Sequence, residues 1–352
     1  MDYKKELEEL ILTVIRESGA DLHLGAGRVP AVRISGELIF LVKHPIFTQT
    51  DIIEILSIVL PKEKIDYFIE NKEMDFSYDF RGEARLRGNA FFQKSLICIV
   101  FRLIPKVKTL PELHLPPILA DLARKKQGFF LVVGPVGQGK STTLSAMIDL
   151  INNEQARNIV TIEDPIEHVY TPNKSIISQR EVGLDTKDFH IALKSVFRED
   201  VNVIMIGEMR TSETIATAVT AAETGHLVFS TLHTNNASQT IDRIIDSFPA
   251  EQQDQIRAQL AVSLLGIFSQ RLIPRITGGL VPAFELLLNN NAVSNLIREK
   301  RTHEIDVVIE TGTEAGMIDL NHSLLELVRA GEISIEDAYQ YSLNPKGIKR
   351  MM

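Results

Sequence analysis

The octapeptide Gly134-Pro135-Val136-Gly137-Gln138-Gly139-Lys140-Ser141 holds, in order, the parts of a phosphate-binding loop. An apolar, β-prone run, Phe129 to Val133, leads into it, as expected of a buried parallel strand. Gly134, Gly137 and Gly139 let the backbone turn its N–H groups toward phosphate oxygens. Lys140 supplies a point charge for the terminal phosphates of a nucleotide, and the Ser141 hydroxyl is a ligand for Mg²⁺. A helical pattern opens at Ser141, Thr142 and Thr143 and aims its positive N-terminal dipole at the same anion.

Three further segments bear on what that anion is for. The strand-like run Val201 to Ile206 is followed by Gly207 and Glu208, which puts a carboxylate where an attacking water would be oriented and deprotonated. The place before Glu208, often an aspartate, is Gly207, so a second carboxylate must come from elsewhere. The segment Asn158 to Ile162 ends in Glu163 and Asp164, with Glu167 close behind. Glu163 is the first candidate to help hold the metal; the same acids would equally suit the first turn of a helix. His226 and His233 bracket another strand at an odd separation. They therefore point to opposite faces and cannot share a metal. His233 lies at the carboxyl end, where open α/β sheets bind ligands.

These residues need a scaffold, and the pattern supplies two folded regions. Within residues 1–104, Leu7, Leu10, Ile11, Val14 and Ile15 repeat at helical spacing up to Gly19. Ala31 to Ile34 and Leu38 to Val42 read as a hairpin turned at Ser35 and Gly36, and Asp51 to Leu60 as a helix stopped by Pro61. Strands are predicted over Met74 to Phe80, Ala84 to Phe92 and Ile97 to Ile104, giving an α+β domain. Pro105, Pro111, Pro116 and Pro117 mark residues 105–117 as a linker. From residue 118 to 352, helices and strands alternate, which predicts an α/β domain with a largely parallel sheet and a helical C-terminal region.

Composition narrows the setting of this chain of 352 residues. One cysteine, Cys98, excludes an intrachain disulfide and a multi-cysteine zinc site. The acidic start is unlike a signal peptide and no apolar run approaches a membrane span, so a cytoplasmic protein is expected. A formal net charge of −8 argues against a general nucleic-acid binder.

Taken together, GPVGQGKS, IVTIEDPIEH, VNVIMIGEMR and TGHLVFSTLHTNNA resemble the Walker A, Asp box, Walker B and His box of the type II/type IV secretion ATPase superfamily. GADLHL, VRISGEL and FREDVNVIMIGEMR are similar to the PilT-type pilus retraction ATPases within it, and the likeness extends over nearly the whole chain. It implies a PAS-like N-terminal domain, a RecA-like P-loop core and a homohexamer that hydrolyses ATP with Mg²⁺ while its domains move. It gives both His226 and His233 a role. Arg85, Arg87 and Arg102 fall where relatives carry arginines that complete the site from another domain or subunit. It also implies an inner-membrane pilus platform protein as partner, other pilus ATPases as further partners, a place at the cytoplasmic face of that membrane, and pilus retraction as the output.

Within the superfamily, assembly and secretion ATPases usually carry an extra N-terminal domain, and many a four-cysteine element. A chain starting at Met1 with one cysteine is expected to have neither. Ala292 to Glu299, AVSNLIRE, is similar to the AIRNLIRE segment of retraction ATPases, with Val293 and Ser294 substituted. Gln138 stands where serine is usual in the loop, Val201 where proline is, Thr211 where aspartate is, and Ala20 where serine is. The rival expectations are a pilus-assembly or type II secretion ATPase and, on a different chemistry, a RecA-like nucleic-acid translocase.

Overall fold

The computed structural model describes residues 2–17, 19–34, 36–82, 84–104 and 107–351, the side chains of the last two excepted. The predicted turn residue Ser35 and linker residue Pro105 lie outside the described residues. Contacts divide the chain into two compact units, Met1–Lys106 with Glu167–Val169, and Val107–Ile166 with Tyr170–Met352.

The first unit runs α1 (Tyr3–Arg16), β1 (Asp21–Gly25), β2 (Ala31–Ile34), β3 (Glu37–Phe40), α2 (Gln49–Val59), α3 (Lys62–Asn71), β4 (Glu73–Phe80), β5 (Ala84–Gln93) and β6 (Leu96–Ile104). Its six strands form an antiparallel sheet in the order β3-β2-β1-β6-β5-β4. Asp2 caps α1 through the Lys5 amide, and the helical repeat then buries Leu7, Leu10, Ile11 and Val14 against the sheet. Each such side chain contributes roughly 1.5–3 kcal/mol of apolar burial. Phe76 packs where Gly88 offers no Cβ; a methyl there would sit 2.2 Å from the ring.

Two elements of this unit are not legible in the pattern. Pro61 does end α2, but it also serves as the N-cap of α3, a position at which its missing N–H costs nothing. Strand β1 hides behind its polar residues, because Asp21 is buried by its ion pairs with Arg102 and Arg33.

The second unit comprises α4 (Ile118–Ala123), β7 (Gly128–Val133), α5 (Lys140–Glu154), β8 (Asn158–Glu163), β9 (Ile176–Glu181), α6 (Phe189–Val196), β10 (Val203–Ile206), α7 (Ser212–Glu223), β11 (Leu227–Leu232), α8 (Ala237–Asp246), α9 (Ala250–Ser263), β12 (Leu264–Pro274), β13 (Leu280–Leu288), α10 (Asn291–Arg298), α11 (Ile305–Thr311), α12 (Leu320–Arg329), α13 (Ile335–Tyr341) and α14 (Pro345–Met351). The seven-stranded sheet has the order β13-β12-β7-β11-β10-β8-β9, parallel except for β13. It is covered on both faces. Phe129, Leu131 and Val133 of β7 enter one core, Phe130 and Val132 the other, as a period of two requires. Leu110 and Leu115, ahead of α4, pack into the second of these. A third cluster joins Ile273, Val281 and Ala283 to α12 and α13.

Glu285 on β13 is buried in this unit and accepts the Ala237 amide at the start of α8, 2.7 Å away. Burial pushes its carboxyl up to about 7, with Asp306 and Asp319 adding to the effect and the Ala237 amide and Arg271 opposing it. The unfolded chain ionises this group first, so stability falls as pH rises through the window from the ordinary glutamate value to about 7. Glu285→Gln, which keeps an acceptor for Ala237, is expected to raise Tm at pH 8 by roughly 3–6 °C. The gain shrinks as pH falls toward 5; scanning calorimetry at both values checks this, and an equal gain at both would mean the carboxyl titrates normally.

Candidate active site

Strand β7 ends at Val133 and the chain turns at once into the glycine loop. Gly134 has φ +143, and a Cβ there would lie 2.4 Å from the Gln270 carbonyl oxygen, so only glycine passes. Gly137 and Gly139 have φ +78 and +75, the left-handed geometry that faces successive N–H groups into one concavity. Helix α5 begins at Lys140, with Ser141 and Thr142 in its first turn. The Val136 side chain projects outward, 80 % exposed, so this residue offers a phosphate its backbone alone.

Lys140 is buried, and its Nζ donates to the carbonyls of Gly134 at 2.9 Å and Pro135 at 2.8 Å. The same ammonium lies 3.3 Å from Nδ1 of His233. An ammonium only donates, so this contact requires Nδ1 to carry the lone pair and Nε2 the proton. His233 follows β11, whose Leu232 is paired with Val133, which explains how a residue so distant in sequence reaches the loop. Its Nε2 lies 3.7 Å from Glu208 Oε2.

Glu208 stands two residues beyond β10, which pairs with β11 and β8. Ser230 and Thr231 hydroxyls donate to the carbonyls of Ile206 at 2.8 Å and Gly207 at 2.6 Å, pinning the backbone that carries it. Arg210 forms an ion pair with the other Glu208 oxygen. Glu208, Arg210, Thr231, His233 and Arg243 line a cavity of about 340 Å³. The result is a row Lys140–His233–Glu208–Arg210 along the carboxyl edge of the sheet, with charges alternating around a neutral ring.

Glu163 closes β8, next to the strand that carries Gly207, and is buried. It accepts from Thr161 Oγ1 at 2.6 Å and Gln179 Nε2 at 3.3 Å. Among the described residues no three His, Cys, Asp or Glu side chains converge as a metal cage. The available donors, a Ser141 hydroxyl and the Glu163 carboxylate, are hard oxygens. That set fits Mg²⁺, which takes few protein ligands and completes its shell with water and phosphate. Asp164 is exposed, and Glu167 groups with the first unit.

The structure does not bring His226 to this row. It precedes β11, at the end of the strand opposite His233 and roughly 20 Å along it at about 3.3 Å per residue. There its Nδ1 lies 3.0 Å from the Ala221 carbonyl at the C-terminus of α7, and its ring meets Phe197 edge-on. His226 and His233, on opposite faces by alternation, thus also stand at opposite ends of β11, and only His233 lies beside Lys140 and Glu208.

Arg85, Arg87 and Arg102 are brought together in the first unit. Arg87 is paired across the sheet with Arg102, and Arg85 follows the same face of β5 two residues earlier. Arg102 donates to Asp21 at 2.8 Å and Arg85 to Ser77 at 2.9 Å. Two contributors escape a motif reading. Gln270 is a buried amide inside β12, detectable only as a polar residue in an apolar strand, and Arg210 is masked by the acid it neighbours.

A family model for the type II/IV secretion system protein matches residues 114–280. Over 342 residues, 97 % of this chain and 99 % of the relative, the sequence is 43 % identical to the type IV pilus retraction ATPase PilT of Pseudomonas aeruginosa. The chain belongs to the PilT-type twitching-motility ATPases. A twitching motility protein of Neisseria gonorrhoeae is 42 % identical over 344 residues, 96 % of this chain and 92 % of the relative. The crystal structure of the pilus retraction motor PilT with bound ADP superposes with a TM-score of 0.91 at 44 % identity, covering 98 % and 99 % of the two chains. The fold is thus that of a P-loop NTPase with mixed α/β architecture. Like other members, this PilT-type chain is an ATP hydrolase.

For a PilT-type enzyme the two histidines separate experimentally. His233→Ala is expected to lower ATP turnover at saturating nucleotide about tenfold or more, through lost positioning beside Lys140 and Glu208. His226→Ala should leave turnover within twofold and lower Tm by about 2–4 °C, the loss of one bond at the end of α7. Steady-state kinetics and thermal melts on both variants check this; equal losses of turnover would overturn the division.

Proposed function

We propose that this chain is a homohexameric motor that couples ATP hydrolysis to type IV pilus retraction, and so to twitching. The observation that carries the reading is the row Lys140–His233–Glu208 beside an intact glycine loop, in a chain that matches a retraction motor from end to end. Residues 1–104 are a PAS-like domain, 105–117 a linker and 118–352 a RecA-like core with a C-terminal helical region. The two-unit division and the two sheet topologies support two domains; residues 107–117 group with the second unit, where Leu110 and Leu115 are buried.

In the proposed site, backbone N–H groups from Gly134 to Thr142 cradle the phosphates, and Lys140 exchanges its loop carbonyls for phosphate oxygens. A cavity of about 340 Å³ beside Gly139 and Thr142, walled by Leu113, Leu115, Leu272 and Pro282, suits the purine. Ser141 and Glu163 hold Mg²⁺, which supplies charge neutralisation at the phosphates. Glu208 takes the proton of the attacking water, and His233 links its carboxylate to Lys140. Arg85, Arg87 and Arg102 present positive charge for the spread charge of the transition state. No helix among the described residues is long and apolar enough to cross a membrane. The motor then works from the cytoplasm on an inner-membrane platform protein, alone or with other pilus ATPases, and without nucleic acid.

Purified protein is expected to form hexamers that hydrolyse ATP only with Mg²⁺, and Glu208→Gln to lose about 10²-fold or more of turnover. Added DNA should change neither number. In cells lacking their retraction motor, the wild-type chain restores filament shortening and Glu208→Gln does not. DNA-stimulated hydrolysis would replace this reading with a translocase, and filament extension in those cells would replace it with an assembly motor.

A further inference from the structure

Strand β12 is paired with β7 only as far as Ser269 opposite Val133. Beyond that point β7 has become the phosphate loop, and the edge of β12 that faced it continues past the loop without a strand beside it. Gln138 fills that place. Its backbone carbonyl accepts from Gln270 Nε2 at 2.8 Å, and its side-chain Oε1 accepts from the Leu272 amide at 2.6 Å. One loop residue thereby grips two residues of β12 that are two apart, as a paired strand would. The same Gln270 amide accepts from Thr143 Oγ1 at 2.6 Å, so loop, helix α5 and strand are locked through a side chain that is 3 % exposed.

We propose that Gln138 is a positioning residue: it clamps the phosphate loop to β12 and passes the loop's position to the C-terminal helices. A serine at 138 would keep the first bond through its backbone. Its hydroxyl ends two bonds nearer the Cα and forgoes the second. From Leu272 the path is short. Ile273 is fully buried against α12 and α13 in the C-terminal cluster. Arg275 Nε donates to Glu332 at 2.6 Å, and the Ile276 amide to the Glu332 carbonyl at 2.9 Å, just past α12. Movement of the loop as phosphate binds or leaves is therefore handed to a packed strand and not dissipated in a free one. The inference rests on the nucleotide reading of the loop.

The test is amide hydrogen exchange on the full chain without nucleotide, comparing wild type, Gln138→Met and Gln138→Glu. Methionine keeps the length and removes the acceptor; glutamate keeps the acceptor. The Leu272 amide should exchange about fivefold faster in Gln138→Met and at the wild-type rate in Gln138→Glu, with Ile267 unchanged in both. Equal Leu272 exchange in wild type and Gln138→Met overturns the clamp, whatever the nucleotide does. Adding ADP and Mg²⁺ should slow exchange at Ile276 in wild type and not in Gln138→Met. A matching response in both overturns the transmission. In turnover, Gln138→Met should raise KM for ATP about fivefold while kcat falls less than twofold, a split that general loosening of the fold would not give. Failure of wild type to bind ADP would defeat the nucleotide reading and leave the amide comparison standing.

Discussion

A buried ammonium organises the second unit. Taking the charge of Lys140 out of water costs several kcal/mol unless its protons meet acceptors, and its environment is built to provide them. Two acceptors are carbonyls of the loop itself, which can turn inward because Gly134 takes a conformation and an approach to Gln270 closed to any other residue. A third is His233, delivered by the parallel register of β11 on β7. A slip of one residue in that register would send the ring to the other face of the sheet. Catalytic geometry and strand pairing are therefore one constraint. The partners that satisfy the ammonium are also replaceable: a phosphate oxygen is a better acceptor than a loop carbonyl, and exchanging one for the other changes the hold on both the loop and His233.

The first unit carries a different tension. Arg87 and Arg102 lie directly opposite in neighbouring strands, an arrangement that costs stability when charges are alike. Asp21, buried between Arg102 and Arg33, offsets part of that cost, and Arg85 extends the row on the same face. A sheet built for stability alone would alternate these charges. Keeping them together is the kind of local violation found where a surface has to meet an anion. That reasoning supports the proposed role of the three arginines independently of their place in any motif.

What could be read from the residues, and what could not, follows from how local the cause is. The loop was legible because strand, glycines, lysine and helix are contiguous, and each residue type has one physical reason to be there. Glu208 was legible for the same reason, standing at the end of an apolar run. The two histidines were half legible. Chain direction and alternation give each one's end and face, yet which side chains wait beside His233 depends on the strands that pair with β11. Strand β1 was hidden by Asp21, whose burial makes sense only with arginines contributed from β2 and β6. Helix α3 was hidden because Pro61 stops one helix and caps the next. Gln270 could not be found from spacing, since its value lies in touching Gln138 and Thr143, each more than a hundred residues away.

The topology also dictates where a displacement of the loop can go. Helix α5 is packed along its apolar side into one core of the second unit, with nine of its residues buried, so it resists tilting. On the far side of the loop, β12 is paired to β13 over nine residues, and the two continue past the sheet's parallel part into the cluster with α12 and α13. The hydrogen bond that the Leu272 amide donates to Gln138 of the loop acts on that extension at its free edge, where no strand opposes a small shift. With a serine at 138 the loop is held to β12 through residue 270 alone, and the extension is free to respond to its own helices. With glutamine the two are tied at two points. Gln138 thus ties the phosphate loop to the strand that runs into the C-terminal cluster without using the lysine, hydroxyl or carboxylate of the site.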